Sequence, residues 1–119
     1  MSQPDLERHD GVPVVRPTGD IDAANATSLR EQLADSMGQD VDRLVLDLSG
    51  VRYLDSAGID MLFRLGELLR QRRAALLLVI PHDSNLARLA EIAGLSQALP
   101  VHTSVDEALG AAPPRAVGP

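Results

Sequence analysis

The chain has 119 residues, of which 17 are acidic and 11 basic, so its formal net charge is −6. All the basic residues are arginines and there is no cysteine, which excludes disulfides and thiolate metal sites. A chain of this length fits one domain with its own hydrophobic core. The negative charge, and the lack of an arginine cluster interleaved with aromatic residues, argue against direct binding to nucleic acid.

The composition also predicts a soluble, cytoplasmic protein. The first residues lack the basic and apolar regions of a secretory signal. The longest apolar run, from Ala74 to Ile80, has seven residues, whereas a membrane-spanning helix needs about 20. We therefore expect no membrane insertion.

A β-hairpin is predicted at the start of the chain. Asp10-Gly11 is typical of a two-residue turn, here joining strands Leu6–His9 and Val12–Pro17. Prolines at 13 and 17 cannot donate hydrogen bonds to a neighbouring strand. The second strand is therefore predicted to be interrupted or partly exposed.

The middle of the chain alternates between helical and strand patterns. Apolar residues spaced by three and four predict a first helix through Ala26, Leu29, Leu33 and Met37, ending at Gly38. Two almost uninterrupted apolar runs predict buried parallel strands, and a second helix lies between them. The strands are Leu44–Leu48 and Ala75–Ile80; the helix runs from about Ala57 to Arg72, with Ile59, Leu62, Leu65 and Leu69 facing the sheet and Asp60, Arg64, Glu67 and Gln71 facing water.

Shorter elements are predicted in the last third of the chain. Ser84 or Asn85 can cap a short helix that closes at Gly94, and a brief strand follows around Ala98–Val101. The sequence Ser104-Val105-Asp106-Glu107 matches a capping box and predicts a last helix. We expect one α/β domain over residues 1–110, with a mixed, mostly parallel sheet, and a flexible C-terminal tail over residues 111–119.

One serine stands where a strand, a short loop and a helix meet. The stretch from Asp47 to Ile59 carries a buried strand into a loop that places Ser56 at the start of the second helix. The N-terminus of a helix favours a phosphate's negative charge, so a hydroxyl there can be phosphorylated with little strain. The alternative is that Asp55 and Ser56 only cap the helix, as Asp22 and Asn25 can cap the first one.

These residues closely resemble the signature of the STAS domain family, the anti-anti-sigma factors, which reads roughly D-L-S-x-V-x-x-L-D-S-S-G-L. The resemblance extends to Gly19-Asp20-Ile21-Asp22 and to Leu89-Ala90-Glu91-Ile92-Ala93-Gly94-Leu95. One departure is Ala57, which stands in place of the second serine. The resemblance implies a STAS-like single domain with a mixed, mostly parallel sheet of about five strands and about four covering helices.

The resemblance also implies a function. Such a protein binds an anti-sigma factor, a GHKL-type serine kinase, and so frees a sigma factor in bacterial stress or sporulation control. Phosphorylation of Ser56 would switch the antagonist off, and a serine phosphatase would restore it. Partner contacts are then expected at Asp22, Asn25, Asp55, Ser56, Ala57, Gly58 and Ile59, and this phosphoprotein would regulate transcription by partner switching without being an enzyme.

Other functions fit parts of the pattern. A STAS subunit of an ABC lipid transporter or a stressosome-like scaffold would carry the same loop. A hydrolase is disfavoured because Ser56-x-Gly58 is only half of G-x-S-x-G, with Leu54 at the first glycine position, although His82 could approach Ser56 as a base. No nucleotide-binding glycine loop occurs and the three histidines are widely spaced, so we expect no cofactor and no metal.

Overall fold

Seven strands and five helices occupy residues 4–38 and 40–110, the part of the chain that the computed structural model describes. In chain order they are β1 Asp5–His9, β2 Val12–Arg16, β3 Gly19–Ile21, α1 Ala26–Asp35, β4 Arg43–Asp47, β5 Val51–Leu54, α2 Ser56–Gln71, β6 Ala75–Val79, α3 Asn85–Ile92, α4 Leu95–Ala98, β7 Val101–His102 and α5 Val105–Gly110. The tail predicted over residues 111–119 lies outside the described residues.

The strands form one large and one small sheet. The large sheet has the order β1-β2-β4-β6-β7, antiparallel between β1 and β2 and parallel elsewhere. The small sheet pairs β3 with β5 in parallel. The predicted fold class, an α/β domain with a mixed and mostly parallel five-stranded sheet, is confirmed. The small sheet was not predicted, since the residues of β5 were expected to be loop, and the single turn of α4 was not predicted either.

The hairpin is confirmed, but the prediction for its second strand is wrong. Asp10 and Gly11 both have positive φ angles, 52° and 84°, as a two-residue turn of the I′ type requires. Strand β2 is continuous, and its residues from Val12 to Val15 are buried, Pro13 included. Pro13 precedes Val14, the first residue of β2 in register with β4, so its missing N–H falls outside that ladder.

The core lies mainly on one face of the large sheet. Helices α1, α2 and α3 pack there, and the larger of two apolar clusters joins them to alternate residues of the strands. The opposite face carries a smaller cluster, in which Ala108 of α5 packs against Val45 and Leu77. Strands β4 and β6 are thus buried on both faces, as their almost uninterrupted apolar sequences predicted.

Helix α2 buries the face predicted for it, with one shift. Leu62, Leu65 and Leu69 are fully buried, but Ile59 is only half-buried, and Gly58 takes the buried position at the start of the helix. The apolar stripe therefore begins one residue earlier than predicted. The water-facing residues of α2 are exposed as expected, and Asp60 and Arg64 form an ion pair one turn apart.

The last third of the domain follows its predicted caps. The Ser84 hydroxyl accepts the Leu86 N–H at 3.1 Å, so Ser84 and not Asn85 caps α3. The Ser104 hydroxyl accepts the Glu107 N–H at 3.0 Å at the start of α5. The strand expected around Ala98–Val101 is β7, displaced toward the C-terminus because α4 occupies the preceding residues. No helix within the described ranges is both long and apolar enough to cross a membrane.

The packing of α2 against the sheet generates a first prediction. Replacing Leu62, which has no exposed surface, with alanine should lower the free energy of unfolding by about 2–5 kcal/mol, because it removes buried apolar contacts and leaves a cavity. Ile92, 74% exposed on α3, supplies the control: its replacement with alanine should cost less than about 0.5 kcal/mol. Urea denaturation measures both. Equal losses would show that Leu62 is not a core residue.

Candidate functional site

Ser56 is the first residue of α2 and is exposed to solvent. Strand β5 ends at Leu54, so only Asp55 separates the strand from the helix. Within the described residues the Ser56 hydroxyl has no hydrogen-bond partner, and neither has the His82 side chain. No base therefore contacts the serine, as a hydrolase nucleophile would need, while the hydroxyl remains accessible to another protein.

Asp55 holds this junction together through both of its carboxylate oxygens. Its Oδ1 accepts the N–H of Gly58 at 2.9 Å, which caps α2. Its Oδ2 accepts the N–H of Ala23 at 3.2 Å, in the loop that precedes α1. The Asp55 N–H donates to the Ile21 carbonyl at 3.3 Å. One side chain thus ties the start of α2 to a loop more than 30 residues away in sequence.

The loop before α1 is organised by its own polar side chains. The Asp22 N–H donates to Asn25 Oδ1 at 3.0 Å, and Asn25 Nδ2 donates to the Asp20 carbonyl at 3.0 Å. Asp22 Oδ1 accepts the Ala24 N–H at 3.0 Å. Asn25 occupies the N-cap position of α1, yet its side chain makes no capping bond to the helix. Both side chains shape the loop, and the capping role considered for them is not observed.

Gly58 lets α2 lie close to β3. A Cβ atom at this position would lie 2.7 Å from the Ile21 carbonyl oxygen and 3.1 Å from Leu54 Cδ2. The nearest of these atoms belongs to backbone, which cannot swing aside as a side chain can. The glycine of the signature is therefore explained by a close approach between helix and strand.

Asp47, which begins the signature, has a structural role that the sequence did not reveal. It is the buried polar residue at the end of β4, and its Oδ1 accepts the Ser49 N–H at 3.0 Å. Its Oδ2 lies 3.3 Å from Arg16 Nε, and Arg16 also contacts Glu7 at 3.0 Å. Hydrogen bonds from His9 and Arg16 lower the pKa of the Glu7 carboxyl. Asp47 thus fixes the turn leading from β4 toward β5.

The predicted site residues fall into two groups. Asp22, Asn25 and Asp55 belong to one hydrogen-bonded unit that joins the two loops. Ser56 is exposed beside it, Ala57 and Ile59 are half-buried, and Gly58 is buried. The structure brings all seven to one region, around the N-termini of α1 and α2. Whether they contact a partner stays a prediction.

The chain as a whole matches a known domain family. A model of the STAS domain matches residues 3–108. The chain belongs to the STAS domain family. The anti-sigma-B factor antagonist of Listeria monocytogenes is 36% identical over 83 residues, covering 70% of this chain and 72% of the relative. The chain therefore has a relative that is named as an antagonist of an anti-sigma factor.

Solved structures show the same fold. The crystal structure of an anti-sigma factor antagonist from Mycobacterium paratuberculosis matches with a TM-score of 0.77 and 30% identity, covering 90% of each chain. SpoIIAA, an anti-sigma factor antagonist, matches in its unphosphorylated form with a TM-score of 0.66 at 17% identity, over 89% of this chain and 93% of SpoIIAA. Its phosphorylated form, from Bacillus, matches with a TM-score of 0.61 over 89% and 96%.

The double role of Asp55 yields a prediction. Asp55→Ala removes the acceptors of the Ala23 and Gly58 N–H groups and should lower the free energy of unfolding by about 1–2 kcal/mol. Asp60→Ala, a matched loss of one carboxylate on an exposed part of α2, should cost about 0.5 kcal/mol or less. Thermal and urea unfolding measure the difference. Equal stability of the two variants would contradict the bridging role.

The close approach between α2 and β3 at Gly58 yields another prediction. Gly58→Ala should lower the free energy of unfolding by roughly 1–3 kcal/mol, because the added methyl group must push α2 away from the Ile21 carbonyl. Gly110→Ala is the control, since a Cβ atom there would meet no atom of residues 4–38 or 40–110 within 4 Å beyond its own stretch of helix. A Gly58→Ala variant as stable as wild type would show that helix and strand are not held this close.

Proposed function

We propose that this protein is an anti-sigma factor antagonist: it binds an anti-sigma serine kinase through the surface around Ser56, and phosphorylation of Ser56 ends the complex. The observation that carries the proposal is the exposed hydroxyl of Ser56 at the first position of α2, on a junction held by Asp55. The names of the relatives, and the phosphorylated and unphosphorylated forms in which SpoIIAA has been solved, support it.

A phosphate on Ser56 fits the local backbone. Within the described part of the chain the N–H groups of Ser56 and Ala57 have no hydrogen-bond partner, and the positive end of the helix dipole lies there. The modified residue can therefore be accommodated without rearrangement of α2. The phosphate adds about −1.5 to −2 charges and a bulky group beside Asp55.

Release then follows from repulsion and poor fit at the interface and needs no refolding of this domain. In the free protein both carboxylate oxygens of Asp55 already accept backbone N–H groups, and Gly58 is buried against β3. We assign these two residues to positioning the surface. Direct contact with the kinase falls to Ser56, Ala57 and Ile59, together with Asp22 and Asn25 in the neighbouring loop.

In this proposal the chain is a substrate and a binding protein and not an enzyme. The kinase supplies ATP and Mg²⁺, and a serine phosphatase removes the phosphate in the cytoplasm, where sigma factors act. The only chemistry required of this chain is an accessible hydroxyl, and Ser56 meets that requirement.

The test compares wild type and three variants as baits in lysate of the native host, with bound proteins identified by mass spectrometry. Ser56→Ala should retain a kinase-like anti-sigma protein. Ser56→Asp should bind it at least about tenfold more weakly, because it carries negative charge at the switch position. Ser96→Asp places the same charge on an exposed serine of α4 and should bind like wild type. Incubation of the wild-type protein with the recovered kinase and ATP should then phosphorylate Ser56.

Two outcomes contradict the proposal. An anti-sigma kinase retained equally by Ser56→Ala and Ser56→Asp would show that the residue is no switch. Equal retention of an ABC ATPase by both baits, with no anti-sigma protein, would place the chain with transporter subunits.

A further inference from the structure

A groove of about 300 Å³ lies between α1 and α2 and begins beside Ser56. Four positions of α2, spaced i, i+3, i+4 and i+7 from residue 57, line one side of the groove. Residues at this spacing form one face of a helix. The other side is lined by residues 26, 27 and 30 of α1 and by Ala23 in the loop before it. The groove is therefore the seam between one face of α2 and the facing residues of α1, and it runs along α2 away from Ser56.

The two ends of the groove differ in chemistry. Near Ser56 its walls are apolar: Ala26 and Met61 are buried, and Ala57 is half-buried. The opposite end carries Arg30 and Arg64. In a helix, the seven positions from Ala57 to Arg64 span about 10 Å, or two turns. An apolar recess and a cationic pair thus stand two helical turns apart.

The cationic end is open to another molecule. Arg64 pairs with Asp60, but both side chains are well exposed, at 67% and 59%. Arg30 is half-buried and has no hydrogen bond or ion pair to any residue within the described ranges. The groove therefore holds two guanidinium groups against one carboxylate, in a chain whose net charge is −6. Guanidinium groups bind carboxylates with two parallel hydrogen bonds.

We propose that the groove receives an amphipathic helix of the anti-sigma partner, with a large apolar side chain over Ala26, Ala57 and Met61 and a carboxylate between Arg30 and Arg64. The proposal rests on the function proposed above and names the chemistry of the partner's docking segment. A volume of about 300 Å³ suits one or two side chains, and helices dock into grooves through residues spaced in this way. The excess positive charge selects an acidic helix over a basic one.

The occupant also explains why a phosphate would act at this position. A helix seated in the groove passes Ser56 at its apolar end, since Ala57 lines that end. A phosphate on Ser56 then faces an acidic partner segment, and the repulsion between them weakens the complex.

The test uses purified anti-sigma kinase recovered with the Ser56→Ala bait, and calorimetric titration at two salt concentrations. The double variant Arg30→Gln/Arg64→Gln should weaken binding roughly tenfold or more and make it less sensitive to salt. The matched control, Arg72→Gln/Arg88→Gln, removes the same charge from exposed arginines outside the groove and should change the Kd less than about twofold. Thermal unfolding of both variants verifies that they are folded.

The outcomes separate the two proposals. Equal Kd values for the two double variants, with Ser56→Asp still weakened, would overturn the groove as a docking site and leave the phospho-switch intact. A partner surface that crosslinks to the groove through basic residues would overturn the acidic helix. Failure of any anti-sigma kinase to bind wild type would refute the proposed function, and the groove's assignment with it.

Discussion

The candidate site depends on one carboxylate. Asp55 accepts backbone N–H groups from the start of α2 and from the loop before α1, two segments that belong to different parts of the chain. Each of these donors would otherwise lack a partner at a helix start or in a loop, so the carboxylate stabilises both while it joins them. Its own backbone N–H reaches Ile21, which adds a third tie to β3. Ser56 is exposed, yet the residue before it is held by three hydrogen bonds, to α2, to the loop before α1 and to β3.

The small sheet makes this geometry possible. Pairing of β3 with β5 brings Ile21 level with Leu54, so the two strands end side by side. Gly58 then allows the first turn of α2 to lie against the Ile21 carbonyl. Beneath them, Leu62 and Leu65 anchor α2 on the large sheet. A surface built on such packed elements presents its side chains in one arrangement, so the proposed switch is expected to act through charge and shape and not through movement.

The elements with strong periodic patterns were predictable from sequence, and the small sheet was not. Strands β4 and β6 and helices α1 and α2 each carry enough apolar residues to reveal their burial by local spacing. Strands β3 and β5 have three and four residues, and Asp20, Arg52 and Tyr53 within them are exposed. Their stability comes from pairing with each other across about 30 residues of chain, which no local pattern displays.

The same limit applies to the site. The signature identified Ser56 and Gly58, but the role of Asp55 depends on Ala23, and the groove depends on two helices that meet only in the fold. The capping role considered for Asn25 was reasonable from residue type, because asparagine favours N-caps. In the structure its side chain is already engaged with Asp22 and Asp20. The sequence does not show which hydrogen-bond partner such a side chain takes, because the choice depends on the folded conformation of the loop.

Electrostatics sets how large an effect the proposed phosphorylation of Ser56 can have on partner binding. A phosphate of about −2 charges roughly 10 Å from a partner carboxylate costs about 3 kcal/mol at an effective dielectric constant of about 20, but less than about 1 kcal/mol in bulk water. The first value corresponds to more than a hundredfold in affinity, and the second to a fewfold change. The repulsion between the phosphate and an acidic helix in the groove reaches the larger value only if docking excludes water between Ser56 and the arginines. The apolar walls formed by Ala26, Ala57 and Met61 supply that exclusion, so the apolar side chains near Ser56 are as necessary to the proposed switch as the charges.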